Sequence, residues 1–465
     1  MTTSPSAPRP TGPPEPSAGE GSGEADPKRL RRVALASLVG TSIEWYDFYI
    51  YGLAAIIVFG PQFFPGASTL AATLAAFGTF AVGFVARPIG GVIFGHLGDK
   101  LGRKNTLVAT LLTMGISTAL IGLLPTYATI GVAAPILLVL LRVLQGFAVG
   151  GEWGGAVLIS VEHAPEKRRG FFGAFPQLGV PIGLIAANGA FLLLAAVVSP
   201  EALTAWAWRV PFLFSALLVG VGLYVRLKVE ESPEFERSER AGSMRLPIVS
   251  VLREHSGQVL CGILIFGGIT AVGYIAAVFS ISYGTSQLDL PRAPLLAIVL
   301  VVALIELPLT LWFSQRADTW GLSRTVAWGA VATAVAIAAF LPLMATGSLL
   351  LIALAVAAAR IASDVMWGPS AALAAQSYPP EVRYSGASVG YQLGSIFGGA
   401  LAPIVVTLLL ASSVGMAGAS VYLVVMVALS GVGALGAARL SRRSRAAGVA
   451  GAGVAETGVA EAGGH

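Results

Sequence analysis

The sequence predicts an all-α integral membrane protein whose twelve transmembrane helices form two pseudo-symmetric six-helix bundles. Composition, the number of long apolar runs and an internal repeat lead to this fold class. Of the 465 residues, 55% are hydrophobic and only 11% are charged, whereas a typical soluble domain carries about 25% charged residues. Most of the surface therefore cannot face water, which excludes an ordinary soluble enzyme, a nucleic-acid-binding protein and a disulfide-rich secreted domain. The single cysteine, Cys261, allows no intrachain disulfide and no cysteine-based metal site, and we expect no bound metal.

The apolar runs predict the helices. A transmembrane helix needs about 20 mostly apolar residues, and the runs found here are too long for the strands of about ten residues that build an outer-membrane barrel. The predicted spans are 33–59, 70–95, 105–124, 133–162, 170–198, 207–228, 256–284, 293–314, 324–344, 348–374, 385–411 and 417–440.

Basic residues lie almost entirely on one side of these spans. Four lie directly before the first helix, at 28–32, and six lie at 226–253, at the end of the sixth helix and in the connection to the seventh. The opposite connections and the helix ends beside them offer only Arg209 and Arg292. By the positive-inside rule, both termini are cytoplasmic. We therefore expect a multi-pass protein of the inner or plasma membrane, embedded in the lipid bilayer. The net charge of +5 then reflects topology, and we expect no nucleic-acid partner.

The polar segments divide the chain into five parts. The N-terminal tail is rich in Pro, Ser, Gly and Glu, a composition typical of disorder, and residues 446–465 are expected to form another loose tail. The parts are a cytoplasmic tail at 1–32, a six-helix bundle at 33–228, a cytoplasmic linker at 229–255, a second bundle at 256–440 and a cytoplasmic tail at 441–465.

Two short motifs occur once in each bundle. Pro-Glu-x-Arg begins at Pro165 and again at Pro380, and Gln-Leu-Gly begins at Gln177 and again at Gln392, so both recur at an offset of 215 residues. Parallel six-helix repeats are an architecture of secondary transporters, in which the substrate site lies near the midplane between the halves.

Several motifs together resemble a known family. The loop Gly95–Lys104 reads GHLGDKLGRK, and its Gly95, Asp99, Gly102, Arg103 and Lys104 match the loop 2–3 signature of the major facilitator superfamily. The segments 40–48, 86–91, 142–146 and 150–155 (GTSIEWYDF, ARPIGG, RVLQG and GGEWGG) add to it. Over residues 33–440 the chain is similar to the metabolite:proton symporter family of that superfamily.

This resemblance implies the major facilitator fold and proton-coupled uptake of a small metabolite. The substrate would be an organic acid such as α-ketoglutarate, citrate or shikimate, or a zwitterion such as proline or betaine. The proton gradient would drive the transport, so no cofactor is expected, and we expect a functional monomer.

Two carboxylates in the first helix are the predicted proton-coupling groups. A charge at the middle of a membrane helix costs about 2.5–3.5 kcal/mol, so we expect Glu44 and Asp47 to have a functional or structural role there. Their i, i+3 spacing places them on one face, and two close carboxylates in a low dielectric favour binding of a proton by one of them. The alternative is that they only brace a neighbouring helix through hydrogen bonds.

Six further ionisable residues within the helices are candidates for substrate binding or charge pairing. They are Arg87, Arg142, Glu152, Glu306, Arg360 and Asp364. A guanidinium matches the shape of a carboxylate, so each arginine can bind an anionic substrate or neutralise a buried acid. The i, i+4 spacing of Arg360 and Asp364 favours a closed pair on helix 10.

The other members of this set have less specific patterns. Arg142 is expected to face a cavity, Arg87 can bridge to Glu152, and no partner is evident for Glu306.

The signature loop predicts a cytoplasmic gate. Asp99 is placed to face the N-terminus of helix 11, where unsatisfied backbone donors attract negative charge, with Arg103 or Arg383 as an ionic partner. In the second half Asp318 occupies the position equivalent to Asp99. Ser323 occupies the position equivalent to Lys104, so the gate contact of the second half is expected to be weaker.

Two alternative functions are weighed against symport. Efflux antiporters of the superfamily usually carry Gly-Pro-x-x-Gly-Gly in helix 5, whereas residues 179–184 read GVPIGL, so symport is favoured over efflux of drugs or metabolites. A polytopic membrane enzyme would need an acidic metal cluster or a nucleophile–base set. Neither motif is visible, and we therefore expect no enzymatic activity.

Overall fold

A computed structural model describes the backbone of residues 27–462 except 102, 151, 163, 228–246 and 380–381. Side chains are in addition not described at 27–33, 69, 95–105, 107, 225–249 and 443–462. Within these limits all regular secondary structure is helical.

Ten helices in the described part of the chain are long and apolar enough to cross a membrane, and a bent helix pair adds an eleventh span. The remaining predicted span, 105–124, corresponds to a shorter apolar helix, Val108–Leu123. We number the spans α1 Ala34–Phe63, α2 Leu70–Phe94, α3 Val108–Leu123, α4 Ala133–Glu162, α5 Glu166–Val197, α6 Pro200–Ala207 with Arg209–Tyr224, α7 Ser256–Ser286, α8 Arg292–Trp320, α9 Leu322–Met344, α10 Leu349–Gln376, α11 Arg383–Leu410 and α12 Gly415–Arg442. All twelve overlap the predicted spans, so the predicted fold class is confirmed.

The two chain ends differ from the prediction. The helix that contains α1 already begins at Pro27, within the segment expected to be a disordered tail. The helix that contains α12 continues to Ala462, although a loose tail was expected from residue 446. Alanine has the highest intrinsic helix propensity, and this Ala-rich stretch follows directly from an existing helix.

Helix pairing repeats between the halves. In the first half α1 packs on α5 and α3 on α6, and in the second half α7 packs on α11 and α9 on α12. Two helices cross to the other half in the same pattern, because α5 packs on α8 and α11 packs on α2. The interface between the halves is therefore built mainly by α5 and α11, the helices that carry the repeated Gln-Leu-Gly motif.

The repeat extends to local distortions. One π-helical turn, Ala55–Phe59, interrupts α1, and another, Ile275–Phe279, interrupts α7 at an offset of 220 residues. Such turns widen a helix and are frequent at functional sites.

Burial is the reverse of that in a soluble protein. Large apolar side chains point outward, such as Trp328 and Leu350, whose exposed fractions are 72% and 69%. Charged side chains, including those of Asp47, Arg87 and Arg142, are fully buried. This pattern fits a bundle surrounded by lipid, with its polar groups gathered inside.

Candidate functional site

A cavity lies between the two halves, lined by α1 and α5 on one side and by α7 and α10 on the other. Four aromatic rings form much of its wall. Trp45 lies 6.3 Å from Tyr274 and 6.5 Å from Trp367, between ring centroids, and Tyr49 lies 6.0 Å from Tyr274. The charged residues that line this cavity are Arg360 and Asp364, both on α10. A lining of apolar faces with polar groups at one wall is typical of small-molecule sites.

Asp47 is held in a hydrogen-bond network within the first half. The Thr118 hydroxyl on α3 donates to its Oδ2 at 2.9 Å, and the Ser215 hydroxyl on α6 donates to its Oδ1. The Gln145 amide on α4 donates to the Thr118 oxygen at 2.8 Å, and Arg142 donates to the Gln145 carbonyl. The carboxyl group is thereby linked to a guanidinium through two neutral side chains.

This network can accommodate both protonation states of Asp47. The Thr118 hydroxyl has a single proton, and it lies 2.9 Å from the Met114 carbonyl oxygen as well as from the carboxylate. It can donate to Asp47 when the carboxylate is ionised, and to Met114 when the carboxyl group carries a proton. Glu44, one turn earlier and also buried, is the nearest second carboxyl group on the same helix face.

Two buried guanidinium groups flank one aromatic ring. The Cζ of Arg87 lies 3.8 Å from the centroid of Phe48, and the Cζ of Arg142 lies 3.9 Å from the same centroid. Both arginines have no exposed surface. In the described part of the chain, no hydrogen bond satisfies any side-chain nitrogen of Arg87, nor Nε and Nη2 of Arg142. Cation–π contact stabilises the charge but leaves strong donors without acceptors.

Arg87 lies directly behind the cavity wall. Its Cζ is 5.8 Å from the ring centroid of Trp45, which lines the cavity, and 4.7 Å from that of Phe84. No hydrogen bond joins it to Glu152. The guanidinium turns towards the aromatic rings of α1 and α2 instead.

The second half contains an ion pair that differs from the prediction. Arg360 contacts Glu306 on α8 through two nitrogens, with Nη2 2.6 Å from Oε2 and Nε 2.5 Å from Oε1. The closed Arg360–Asp364 pair is therefore wrong, and Glu306 does have a partner. The cause is tertiary packing, because α8 brings both carboxylate oxygens opposite the guanidinium fork. Asp364 lines the cavity with 4% exposure, and its Oδ2 accepts no hydrogen bond from the described residues.

Part of the predicted gate lies within the described residues. The Asp318 carboxylate at the end of α8 accepts hydrogen bonds from the backbone N–H groups of Gly170 at 2.7 Å and Phe171 at 3.0 Å. Both donors belong to the first turn of the helix that begins at Arg169, so the carboxylate caps unsatisfied donors of a helix in the other half. Across the same interface Arg383 forms an ion pair with Glu162 at 3.2 Å. The side chains of the other gate residues, Gly95, Asp99, Gly102, Arg103 and Lys104, lie outside the described part of the chain.

Two glutamines join the halves, and sequence reasoning assigned them no role. The Gln177 amide on α5 donates to the Trp367 carbonyl at 3.0 Å, and the Gln392 amide on α11 donates to the Gly150 carbonyl at 2.9 Å. Trp153 donates to Gln177 at 3.0 Å and stacks on Tyr391 with ring centroids 4.0 Å apart. The available signal was the repeat itself, since both glutamines begin the Gln-Leu-Gly motif.

Comparison with known proteins agrees with this architecture. Residues 33–245 match the family model described as "Sugar (and other) transporter". The inner membrane metabolite transport protein YhjE of Escherichia coli K12 is 43% identical over 86% of this chain and 92% of its own. The shikimate transporter of the same organism is 42% identical over 82% of this chain and 88% of its own. The proline/betaine transporter of Salmonella typhimurium is 32% identical over 87% of this chain and 82% of its own.

Solved structures show the same fold. The partially occluded inward-open xylose transporter XylE of E. coli superposes with a TM-score of 0.67 and 17% identity, covering 88% of this chain and 97% of that one. A D-xylose–proton symporter gives the same TM-score with 18% identity, covering 87% and 97%. At these identities the likeness concerns the fold alone. Taken with the extensive similarity to the metabolite transporters, the twelve-helix, two-half structure identifies the chain as a multi-pass inner-membrane secondary transporter, not an enzyme, belonging to the major facilitator superfamily.

Proposed function

We propose that the protein takes up a small organic acid anion together with protons, by alternating access of its two halves to a central site. The observation that carries the proposal is the pair of buried guanidinium groups of Arg87 and Arg142. Apart from Nη1 of Arg142, which donates to Gln145, their nitrogens have no hydrogen-bond acceptors in the described part of the chain. A buried charge without partners is costly, and a bound carboxylate would supply the missing acceptors in the fork geometry that arginine favours. An anionic substrate fits these groups better than a neutral one.

Asp47 is the proposed coupling group. It is fully buried and connected to Arg142 through Thr118 and Gln145. An anion bound at Arg142 offsets part of the positive charge that stabilises ionised Asp47, and so favours proton binding to Asp47. By linkage, a proton on Asp47 favours the anion equally. The two ligands thus assist each other, as symport requires.

The interface contacts supply the gate in this proposal. Asp318 caps the N-terminus of α5, and Arg383 forms an ion pair with Glu162. These contacts hold the halves together at one end of the bundle. The basic connections support a cytoplasmic position for this end and for both termini. Release of these contacts would open the site inward. The proton gradient drives the cycle, with no cofactor, in a functional monomer.

The relatives indicate which classes of substrate to test. One is a shikimate transporter and another a proline/betaine transporter, so cyclic organic acids and zwitterions both need testing. The unsatisfied guanidinium groups favour the acids.

Uptake into proteoliposomes with an imposed inward proton gradient tests the function. The panel is α-ketoglutarate, citrate, shikimate, proline and betaine. We expect accumulation of at least one organic acid above its external concentration, abolished by a protonophore. Accumulation of only the zwitterions would reject the anion assignment, and accumulation driven by an outward gradient would reject symport.

A further inference from the structure

Asp364 is a buried carboxylate in the wall of the cavity between the halves. Its exposed fraction is 4%, and its Oδ2 accepts no hydrogen bond from the described residues. Its nearest cation is Arg360, one helical turn away, but that guanidinium binds both oxygens of Glu306 through Nε and Nη2. The local set of Glu306, Arg360 and Asp364 therefore has one negative charge in excess when all three are ionised.

The other groups that face Asp364 do not neutralise this excess negative charge. Helix α1 contributes Tyr49 and helix α7 contributes Tyr274 to the same cavity, and both phenols are neutral donors near neutral pH. Helix α5 contributes Val180 and Pro181, which do not ionise. Glu306 on helix α8 lies behind the cavity lining and is already bound by Arg360. Among the described residues, no free cation lines the cavity opposite Asp364.

An ionised carboxylate at this place conflicts with an anionic substrate. Two negative charges in a small, weakly polar cavity repel strongly because little solvent screens them. Either the anion does not enter, or Asp364 is neutral when it does.

We infer that Asp364 is a second proton site, located in the substrate cavity itself, and that it must bind a proton before the organic anion can bind. The inference rests on the proposed function and deepens it. Asp47 and Asp364 then have separate tasks: the proton on Asp364 permits anion binding by removing direct repulsion, and the proton on Asp47 responds to the charge of Arg142.

The inference leads to an unusual expectation for a neutralising variant. If one proton must bind with the anion, the dissociation constant rises by up to tenfold per pH unit once Asp364 ionises. The Asp364→Asn variant retains the shape of the side chain but has no charge to neutralise. We expect it to lose the part of the pH dependence that one proton on Asp364 causes, and to keep only the part that comes from the linkage at Asp47. At alkaline pH we expect it to bind the anion about tenfold more tightly than the unmodified protein.

Equilibrium binding to the purified full chain in detergent tests this, since it needs no proton gradient. α-Ketoglutarate, citrate and shikimate are titrated between about pH 6 and about pH 8, and methyl shikimate serves as the uncharged control. The inference is supported if binding of an acid weakens with rising pH in the unmodified protein, weakens less steeply by about one proton in Asp364→Asn, and regains the full slope in Asp364→Glu. The uncharged ester should bind with nearly the same affinity at every pH.

Other outcomes separate the two proposals. If Asp364→Asn remains folded and retains the full slope, or if it loses binding at every pH while Asp364→Glu restores it without the full slope, the carboxylate serves another purpose and the inference is wrong. Proton-driven uptake of the acids would still support the proposed function in that case. If none of the acids binds to the unmodified protein at any pH, the organic-acid substrate itself is wrong.

Discussion

The buried ion pair between Glu306 and Arg360 offers the sharpest test of the structure. Two short contacts, at 2.5 and 2.6 Å, join side chains whose exposed fractions are 1% and 10%. Removing one partner of such a pair leaves an uncompensated buried charge, at a cost of about 3–5 kcal/mol in the free energy of unfolding. Asp364 lies one turn from Arg360 and can replace Glu306 as its partner, so every variant of this cycle is made in the Asp364→Asn background. In that background we expect Glu306→Gln to destabilise the protein by about that amount.

The two single variants should not be equivalent. Arg360→Gln leaves a carboxylate, which can escape its buried charge by binding a proton, whereas Glu306→Gln leaves a guanidinium that stays charged. We expect Arg360→Gln to cost less, and the double variant to recover much of the stability because neither charge remains. The coupling free energy from the cycle should be about 3 kcal/mol.

The chain provides a matched control. Arg383 and Glu162 form an ion pair at 3.2 Å, but their side chains are 25% and 33% exposed. Solvent screens such a pair, so its cycle should give about 0.2–1 kcal/mol. The free energy of unfolding of each purified variant is measured by SDS titration in mixed micelles. Equal coupling energies for the two pairs, or a double Glu306/Arg360 variant as unstable as the sum of its parts, would contradict the structure.

Three further expectations concern transport and gating. With the membrane potential clamped at zero, each coupled proton multiplies the accumulation ratio by about ten per unit of pH difference. Asp47→Asn should lower this ratio by that factor in proteoliposomes and spare substrate exchange, and an unchanged ratio would reject the assignment of Asp47. Arg142→Lys should raise the KM for an organic acid by about tenfold or more, because an ammonium lacks the fork, and should change the KM for uncharged methyl shikimate much less; equal changes would mean that Arg142 is structural. Asp318→Asn should accelerate amide hydrogen exchange at Gly170 and Phe171 by about tenfold or more, measured by mass spectrometry, and unaltered exchange there would mean that this cap does not hold the helix end.

The number and position of the spans were predictable because length and hydrophobicity are local properties of a chain. The partner of Arg360 was not. Within the sequence, the i, i+4 neighbour Asp364 is the obvious partner, whereas Glu306 becomes one only when α8 packs beside α10. Both acids have the charge to pair with Arg360, and the packing of α8 beside α10 determines that Glu306 is its partner.

The hydrogen-bond network around Asp47 could not be predicted from the sequence either. Thr118, Gln145 and Ser215 are uncharged polar residues of a kind that occurs throughout membrane helices, where they often bond only to their own helix. Asp318 was easier to place because it lies at an echo of the signature loop. Asp318 contacts the first turn of α5 because a helix N-terminus attracts a carboxylate. The repeat already indicated the position of that helix end.

The two glutamine contacts at the interface have a consequence for how the protein tolerates variation. Gln177 and Gln392 both reach main-chain carbonyls, those of Trp367 and Gly150. Every amino acid presents that same oxygen, so replacing the acceptor residue does not by itself remove the acceptor, whereas replacing the glutamine does. Each of these two hydrogen bonds is therefore vulnerable to mutation from one lobe only, and the two vulnerable positions sit on opposite lobes.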